Sequence, residues 1–307
     1  MPLRVAVVGV GYLGRHHARI LATLPGVELV AVVDTNLARA GEIAAASQTR
    51  PLEDYREILG HVDAVTIAVP TERHHEIAIP FLAAGIPVLV EKPMARSVAE
   101  ADAMIAAGKR TGVALAVGHT ERFNPAVAAA RPILTDPRFI EVHRLGTFPE
   151  RSLDIDVVFD LMIHDLDVVL SIVHADVESI EAVGVPVLTG RVDIANARLS
   201  FANGCIANIT ASRISRDRVR KIRFFQPAAY LSIDYAAQKV ELWRLVKMDG
   251  APPSIQGGEV EVAAEEPLKR ELSDFIDAVV SRRPPTVTGA DGRRALELAT
   301  LITSKMA

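Results

Sequence analysis

Half of the 307 residues are hydrophobic and 23% are charged, a balance that excludes a disordered, collagen-like or low-complexity chain. Lys+Arg number 34 against Asp+Glu 38, and the resulting net charge of -4 excludes general electrostatic attraction to nucleic acid or to an anionic membrane, so any anion must be held locally. Against about 100–200 residues per domain, the length implies two domains.

The first 120 residues alternate short β-branched runs with helix-like stretches, the pattern of a parallel sheet flanked by helices. Strands are predicted at Arg4 to Val8, Glu28 to Val33, Ala64 to Ala68, Pro87 to Val90 and Ala114 to Val117. Helices are predicted between them at Gly14 to Leu24, Leu37 to Ala46, Arg73 to Ala84 and Val98 to Thr111, each with apolar residues three or four apart. From about Gly118 the rhythm becomes α+β. Helices near Pro125 to Leu134 and Asp160 to His174 precede a hairpin of Arg198 to Phe201 and Cys205 to Ala211, turned at Asn203-Gly204. Further strands follow at Lys221 to Phe225, Tyr230 to Tyr235 and Val240 to Val246. The stretch from Pro252-Pro253 to Gly257-Gly258 reads as a loop, and Leu268 to Ser281 and Gly292 to Lys305 read as closing helices. The predicted class is α/β, with a doubly wound domain over 1–120 and an α+β domain over 121–307 whose last helix can pack back on the first.

Cys205 is the one cysteine, which leaves no disulfide and no Cys-based metal site within a chain and fits a reducing, cytoplasmic compartment. The chain runs from Met1 straight into its first strand without an apolar leader, and no apolar stretch approaches the ~20 residues of a membrane span. A soluble protein is expected.

Gly9-Val10-Gly11-Tyr12-Leu13-Gly14 matches GxGxxG directly after a strand and before a helix. Gly9 permits the tight turn, Gly11 lets a pyrophosphate approach the backbone, and Gly14 lets the helix pack closely with its N-terminus toward the phosphates. Asp34, 20 residues after Gly14 and at the end of the next strand, is placed to accept the ribose hydroxyls of NAD and to repel the extra phosphate of NADP. Arg39, one turn into the following helix, is the residue that could instead reach a 2′-phosphate.

Lys92 follows the buried run Val88 to Glu91, at the carboxyl end of a strand, where open α/β sheets bind ligands. There it can stabilise a substrate oxygen that gains negative charge, or it can be half of a surface Glu-Lys pair. Asp160 and His164 are four residues apart and share one helical face, and an imidazole is suited to taking a proton from an alcohol. Surface or capped side chains are expected for His16, His17, His61, His75, His143 and His174, and no spacing suggests a metal site.

GxGxxG, Asp34, Glu91-Lys92-Pro93, Gly118 to Pro125 and Asp160-x-x-x-His164 together resemble the Gfo/Idh/MocA oxidoreductases over nearly the whole chain. The resemblance implies a Rossmann domain, a second domain built on a large, mostly antiparallel sheet, and a homodimer or homotetramer formed through that sheet. It implies Lys92, Asp160 and His164 as the catalytic set, and Pro70, Thr71 and His74 as a loop beneath the nicotinamide. Tyr12, Leu13, Glu91 and Lys92 join the cofactor-binding residues on the same ground. Val157-Val158-Phe159 and Met162 replace glycines common in the family, so the substrate pocket is not expected to match that of a generic sugar or inositol dehydrogenase.

Pro149 to Ser152, Asp160 to Asp167 and Phe201 to Arg213 resemble the branch of the family that oxidises UDP-N-acetylglucosamine at its 3-hydroxyl on the way to lipid A. Arg213, Arg216, Arg218, Arg220, Lys221 and Arg223 form a dense basic run that suits a diphosphate, although a solvated loop or a subunit contact would also explain it. Arg122, Asn124, Arg151 and Arg213 are the expected substrate contacts besides Asp160 and His164. The alternatives are a dehydrogenase of a free sugar, inositol or cyclic alcohol, and a non-enzymatic dinucleotide-binding regulator.

Overall fold

The computed structural model describes residues 1–148, 155–247 and 252–306. In chain order the elements are β1 (Leu3–Val8), α1 (Gly14–Leu21), β2 (Val27–Val33), α2 (Leu37–Ser47), β3 (Arg50–Leu52), β4 (Ala64–Ile67), α3 (His74–Ala83), β5 (Val88–Glu91), α4 (Val98–Thr111) and β6 (Leu115–Gly118). There follow α5 (Pro125–Ala130), β7 (Phe139–Leu145), α6 (Ile163–Ile172), β8 (Val177–Val185), β9 (Ile194–Phe201), β10 (Ile206–Ser212), β11 (Val219–Gln226), β12 (Ala229–Asp234), β13 (Lys239–Val246), β14 (Ser254–Val260), α7 (Pro267–Ser281) and α8 (Gly289–Lys305). The chain divides into two compact units: Met1–His119 with Leu268–Leu296, and Thr120–Pro267 with Glu297–Ala307.

The first unit holds a six-stranded parallel sheet in the order β3-β2-β1-β4-β5-β6. Its central strands are unbroken hydrophobic runs because helices cover both faces; Val5, Ala6 and Val7 are wholly buried. Strand order reverses between β1 and β4, so the crevice at their carboxyl ends is where this topology binds ligands. Asn36 caps α2 by accepting the Arg39 N–H, and Ser97 caps α4 by accepting that of Glu100. Leu272, Phe275 and Ile276 of α7 join Val5, Val7, Ile20 and Leu21 in one core, which places this late segment in the first unit. Helical periodicity shows that α7 has an apolar face but not what covers it, so a reading of 121–307 as one domain does not anticipate this packing.

The second unit holds an eight-stranded sheet in the order β14-β13-β12-β11-β7-β10-β9-β8. Only β7 and β10 run parallel; every other pair is antiparallel. One face is covered: Ala195, Ala197, Leu199 and Phe201 of β9 are buried, while the residues between them are half-exposed. The β9–β10 turn occurs at Asn203-Gly204, where Gly204 takes φ +80 and the Asn203 side chain accepts the Cys205 N–H. Burial pushes the Cys205 thiol up to about 11, which keeps it protonated at neutral pH.

The expected loop over 252–258 is a strand, β14, paired antiparallel with β13. Gly257 lies opposite Trp243, and a Cβ there would come within 1.9 Å of the Leu242 carbonyl oxygen, so the glycine that suggests a turn is what permits close pairing. Gly257→Ala should therefore free this edge strand, read as faster amide exchange in β13 and β14 with little change elsewhere. The helix expected from Asp160 begins instead as a π-helical turn over Val158–Met162 and becomes α-helical at Ile163. Among the described residues no helix is long and apolar enough to cross a membrane.

Candidate active site

The first unit collects the expected cofactor residues at the carboxyl edge of its sheet. Gly9 (φ +84) has no room for a side chain, because a Cβ would meet the Ala68 carbonyl oxygen at 2.7 Å. A Cβ on Gly14 would lie 1.8 Å from the Gly9 carbonyl oxygen, which welds the turn to the start of α1. Gly11 differs: a Cβ there would meet nothing within 4 Å, so the middle glycine leaves its backbone open on the side where a pyrophosphate approaches. Tyr12 and Leu13 at the tip are 55% and 38% exposed, and the Arg15 guanidinium stacks 5.0 Å over the Tyr12 ring. The turn fits a dinucleotide.

Asp34 directly follows β2, with Oδ2 accepting the Val10 N–H at 3.1 Å and Oδ1 accepting the Asn36 N–H at 2.9 Å. These bonds fix the carboxylate beside the glycine turn. Arg39 Nη1 is 3.5 Å from the same carboxylate, a partner that reduces its repulsion toward a 2′-phosphate. A charged hydrogen bond contributes about 1.5–3 kcal/mol, so Asp34→Ala should raise the KM for NAD by about 10- to 100-fold. NADP should be affected far less, and competitive kinetics with the two cofactors would measure the ratio.

Pro70 and Thr71 open a short turn before α3. His74 is 1% exposed, and its ring nitrogens lie 2.9 Å from the carbonyl oxygens of Pro93 and Val69. Desolvation by burial lowers its pKa below the ordinary histidine value. The ring is a strut between two loops and not an exposed cofactor contact, which corrects the expected role. Glu91 is likewise turned inward, 5% exposed, with Oε1 at 3.0 Å from His17 Nε2. Lys92, one residue on, is half-buried at the strand end.

In the second unit, Asp160 lies in the π-helical turn and His164 in the first turn of α6. A π turn is a frequent local device at functional sites because it re-aims the side chains it carries. Nine of the ten residues of α6 are buried, and His164 is the exception. The helix is locked by two charged pairs: Arg144 Nε and Nη2 grip Asp165 at 2.6 and 3.0 Å, and Arg122 Nε and Nη2 grip Asp167 at 2.8 and 3.0 Å. Both pairs are bidentate, so they fix the rotation of the helix as well as its position.

Three expected substrate contacts are thereby given other work. Arg122 is turned to Asp167, and Asn124 caps α5 through the Ala126 N–H while donating to the Tyr235 carbonyl. Arg213 is 1% exposed, with Nε donating to Asp193 at 2.8 Å and Nη1 to the Ile155 carbonyl at 2.7 Å. Arg151 lies outside the described residues. The basic run does not act as one patch either: Lys221 pairs with Asp234, Arg223 pairs with Glu141, and Arg216, Arg218 and Arg220 are exposed. The residue that sequence reasoning missed is His17, expected at the surface and found wholly buried.

Residues 3–119 match the model of an oxidoreductase family with an NAD-binding Rossmann fold, and residues 99–226 match the GFO/IDH/MocA C-terminal domain. A UDP-N-acetylglucosamine 3-dehydrogenase from Acidithiobacillus ferrooxidans is 38% identical over 97% of this chain and 95% of its own. A crystal form of that A. ferrooxidans enzyme superimposes with a TM-score of 0.93 at 36% identity, covering 100% of this chain and 98% of that one. The scyllo-inositol 2-dehydrogenase (NAD(+)) of Bacillus subtilis is 32% identical over 69% of this chain and 68% of its own. A levoglucosan dehydrogenase in complex with NADH shares the fold at a TM-score of 0.89 and 18% identity, covering 99% and 97% of the two chains.

Proposed function

Because the chain belongs to the Gfo/Idh/MocA family of NAD-binding oxidoreductases, we propose that it oxidises the 3-hydroxyl of UDP-N-acetylglucosamine to the 3-keto nucleotide sugar. The observation that carries this reading is the near full-length similarity to the A. ferrooxidans enzyme of that activity. Bound NAD supplies a hydride acceptor at C4 of its nicotinamide. His164 takes the hydroxyl proton as the C3–H bond breaks with its electron pair, and Lys92 stabilises the oxygen as negative charge develops. Asp160 orients the imidazole or binds a neighbouring hydroxyl. Gly9, Gly11, Gly14, Tyr12, Leu13 and Asp34 hold the dinucleotide, with Pro70 and Thr71 beneath its nicotinamide end. The domain boundary near residue 120 then separates cofactor binding from substrate binding.

We further infer a cytoplasmic homodimer or homotetramer formed through the open face of the eight-stranded sheet, whose product feeds an aminotransferase in lipid A assembly. Val183, Phe225, Trp243 and Leu245 on that face are each at least 37% exposed, more apolar surface than an isolated sheet face favours. Light scattering tests the oligomer.

The dispersal of the basic run favours a second reading, oxidation of a free inositol or other cyclic alcohol. NADH formation at 340 nm separates the two, with an aminotransferase and its amino donor added to draw off the keto product. Turnover of UDP-N-acetylglucosamine that disappears with free N-acetylglucosamine is the expected result. Turnover of a free polyol with none of the UDP-sugar would establish the second reading.

A further inference from the structure

His17 lies three residues beyond Gly14, on the helix that starts at the dinucleotide turn, and is wholly buried. Its Nε2–H donates to Glu91 Oε1 at 3.0 Å, and the other carboxyl oxygen of Glu91 accepts the backbone N–H of Lys92 at 3.2 Å. Gly118, at the end of the neighbouring strand β6, forms the floor under this carboxylate. A Cβ there would lie 2.9 Å from the Glu91 carboxyl carbon, so a larger residue would push the carboxylate from this position. Glu271 of α7 completes the cluster: the ligating atoms of His17, Glu91 and Glu271 all lie within 4.8 Å of one another, and all three residues are buried. Within this cluster His17 and Glu91 are hydrogen-bonded to each other.

Burial alone would raise Glu91, but the hydrogen bond and charge of His17, followed by the charges of Lys92 and His74, carry it below the ordinary carboxylate value. The titratable groups facing Glu91 are thus His17 on α1, Lys92 beside it, His74 on α3 and Glu271 on α7. An ionised Glu91 favours the ammonium form of its neighbour.

We propose that His17 is a positioning residue for Lys92: by holding the Glu91 carboxylate, it ties the strand end that carries the lysine to the helix that opens at the dinucleotide turn. The idea rests on the role given to Lys92 above. Its effect runs through geometry and charge together. Without His17 the carboxylate loses its side-chain hydrogen bond and the largest of the groups that offset its burial, which loosens its hold on the Lys92 N–H and weakens its support of the ammonium.

The test compares His17→Leu, His17→Gln, Glu91→Gln and the Leu/Gln double variant, measuring kcat and KM across pH, with NAD affinity by calorimetry as the reading of intact fold and cofactor site. Misplacement by about 1 Å costs on the order of 10²-fold, so His17→Leu and Glu91→Gln should each lower kcat by about that factor. The double variant should be no worse than Glu91→Gln, since both changes break one chain of contacts. The alkaline limb of kcat/KM should move to lower pH in both single variants. His17→Gln, which keeps a donor, should recover most of kcat, and NAD affinity should stay within about twofold throughout. Multiplicative losses, or an unmoved alkaline limb in folded Glu91→Gln, would overturn the proposal even if His17→Leu does not fold. Lys92→Met separates this from the premise: if it remains active, the role of Lys92 fails; if it is inactive while the His17 and Glu91 variants behave as wild type, only the role of His17 fails.

Discussion

Lys92→Met and His164→Ala should each reduce kcat/KM by about 10²- to 10⁴-fold, the range that a positioned proton-transfer or charge-stabilising group contributes. NAD binding and thermal stability should hardly change. Lys92 is half-buried at a strand end, and methionine keeps most of its length while removing the ammonium. His164 is the one residue of α6 that is not buried, so truncating it disturbs packing less than a change at its buried neighbours would. The two variants are distinguished by pH. Only an unprotonated imidazole can take a proton, so the acid limb of the wild-type profile should vanish in His164→Ala and persist in Lys92→Met. The glycine turn and Asp34 are untouched in both, and calorimetric titration of NAD checks that the cofactor site survives. If both variants kept kcat/KM within about twofold of wild type, the assigned chemistry would be wrong.

What could be read from the sequence is what depends on near neighbours. The glycine turn, the strand before it and Asp34 lie within 31 positions, and the constraints on them are steric and local. The same holds for Asp160 and His164, whose spacing keeps them on one side of a helix whether the turn is α or π; the π turn itself has no local signature. Features set by distant partners were not legible. His17 reads as a surface side chain because Glu91, which buries and holds it, is 74 positions away. The strand at 254–260 reads as a loop because its glycines gain meaning only against the Leu242 backbone. Basic density likewise says nothing about pairing: two residues of the same run, Arg213 and Arg216, end up wholly buried and exposed.

Arg213→Met should destabilise the protein by about 3–5 kcal/mol, the cost of breaking a buried ion pair from one side, and should leave the kcat/KM of the folded enzyme within about threefold. The guanidinium bonds Asp193 and the Ile155 carbonyl, and its Nη2 donates to the Thr189 hydroxyl at 3.2 Å. Asp193 is better supplied, since Oδ2 also accepts the N–H groups of Val187, Leu188 and Thr189 at 2.7–2.9 Å. Asp193→Leu should therefore be the more damaging change, because arginine cannot shed its charge when its partner is removed. Burial by itself would raise Asp193, but the Leu188 N–H, the hydroxyl and N–H of Thr189 and the Arg213 guanidinium hold it well below the ordinary carboxylate range. A depressed folded value adds stability above the unfolded value of ~3.9, and that stability is lost as pH falls toward the folded value. The wild type should accordingly lose stability on acidification below about pH 4, and Asp193→Asn should start lower at neutral pH and decline less steeply. Denaturant titrations at neutral and acid pH read both effects. A loss of affinity for UDP-N-acetylglucosamine in Arg213→Met at unchanged stability would reverse the assignment and return this arginine to the substrate.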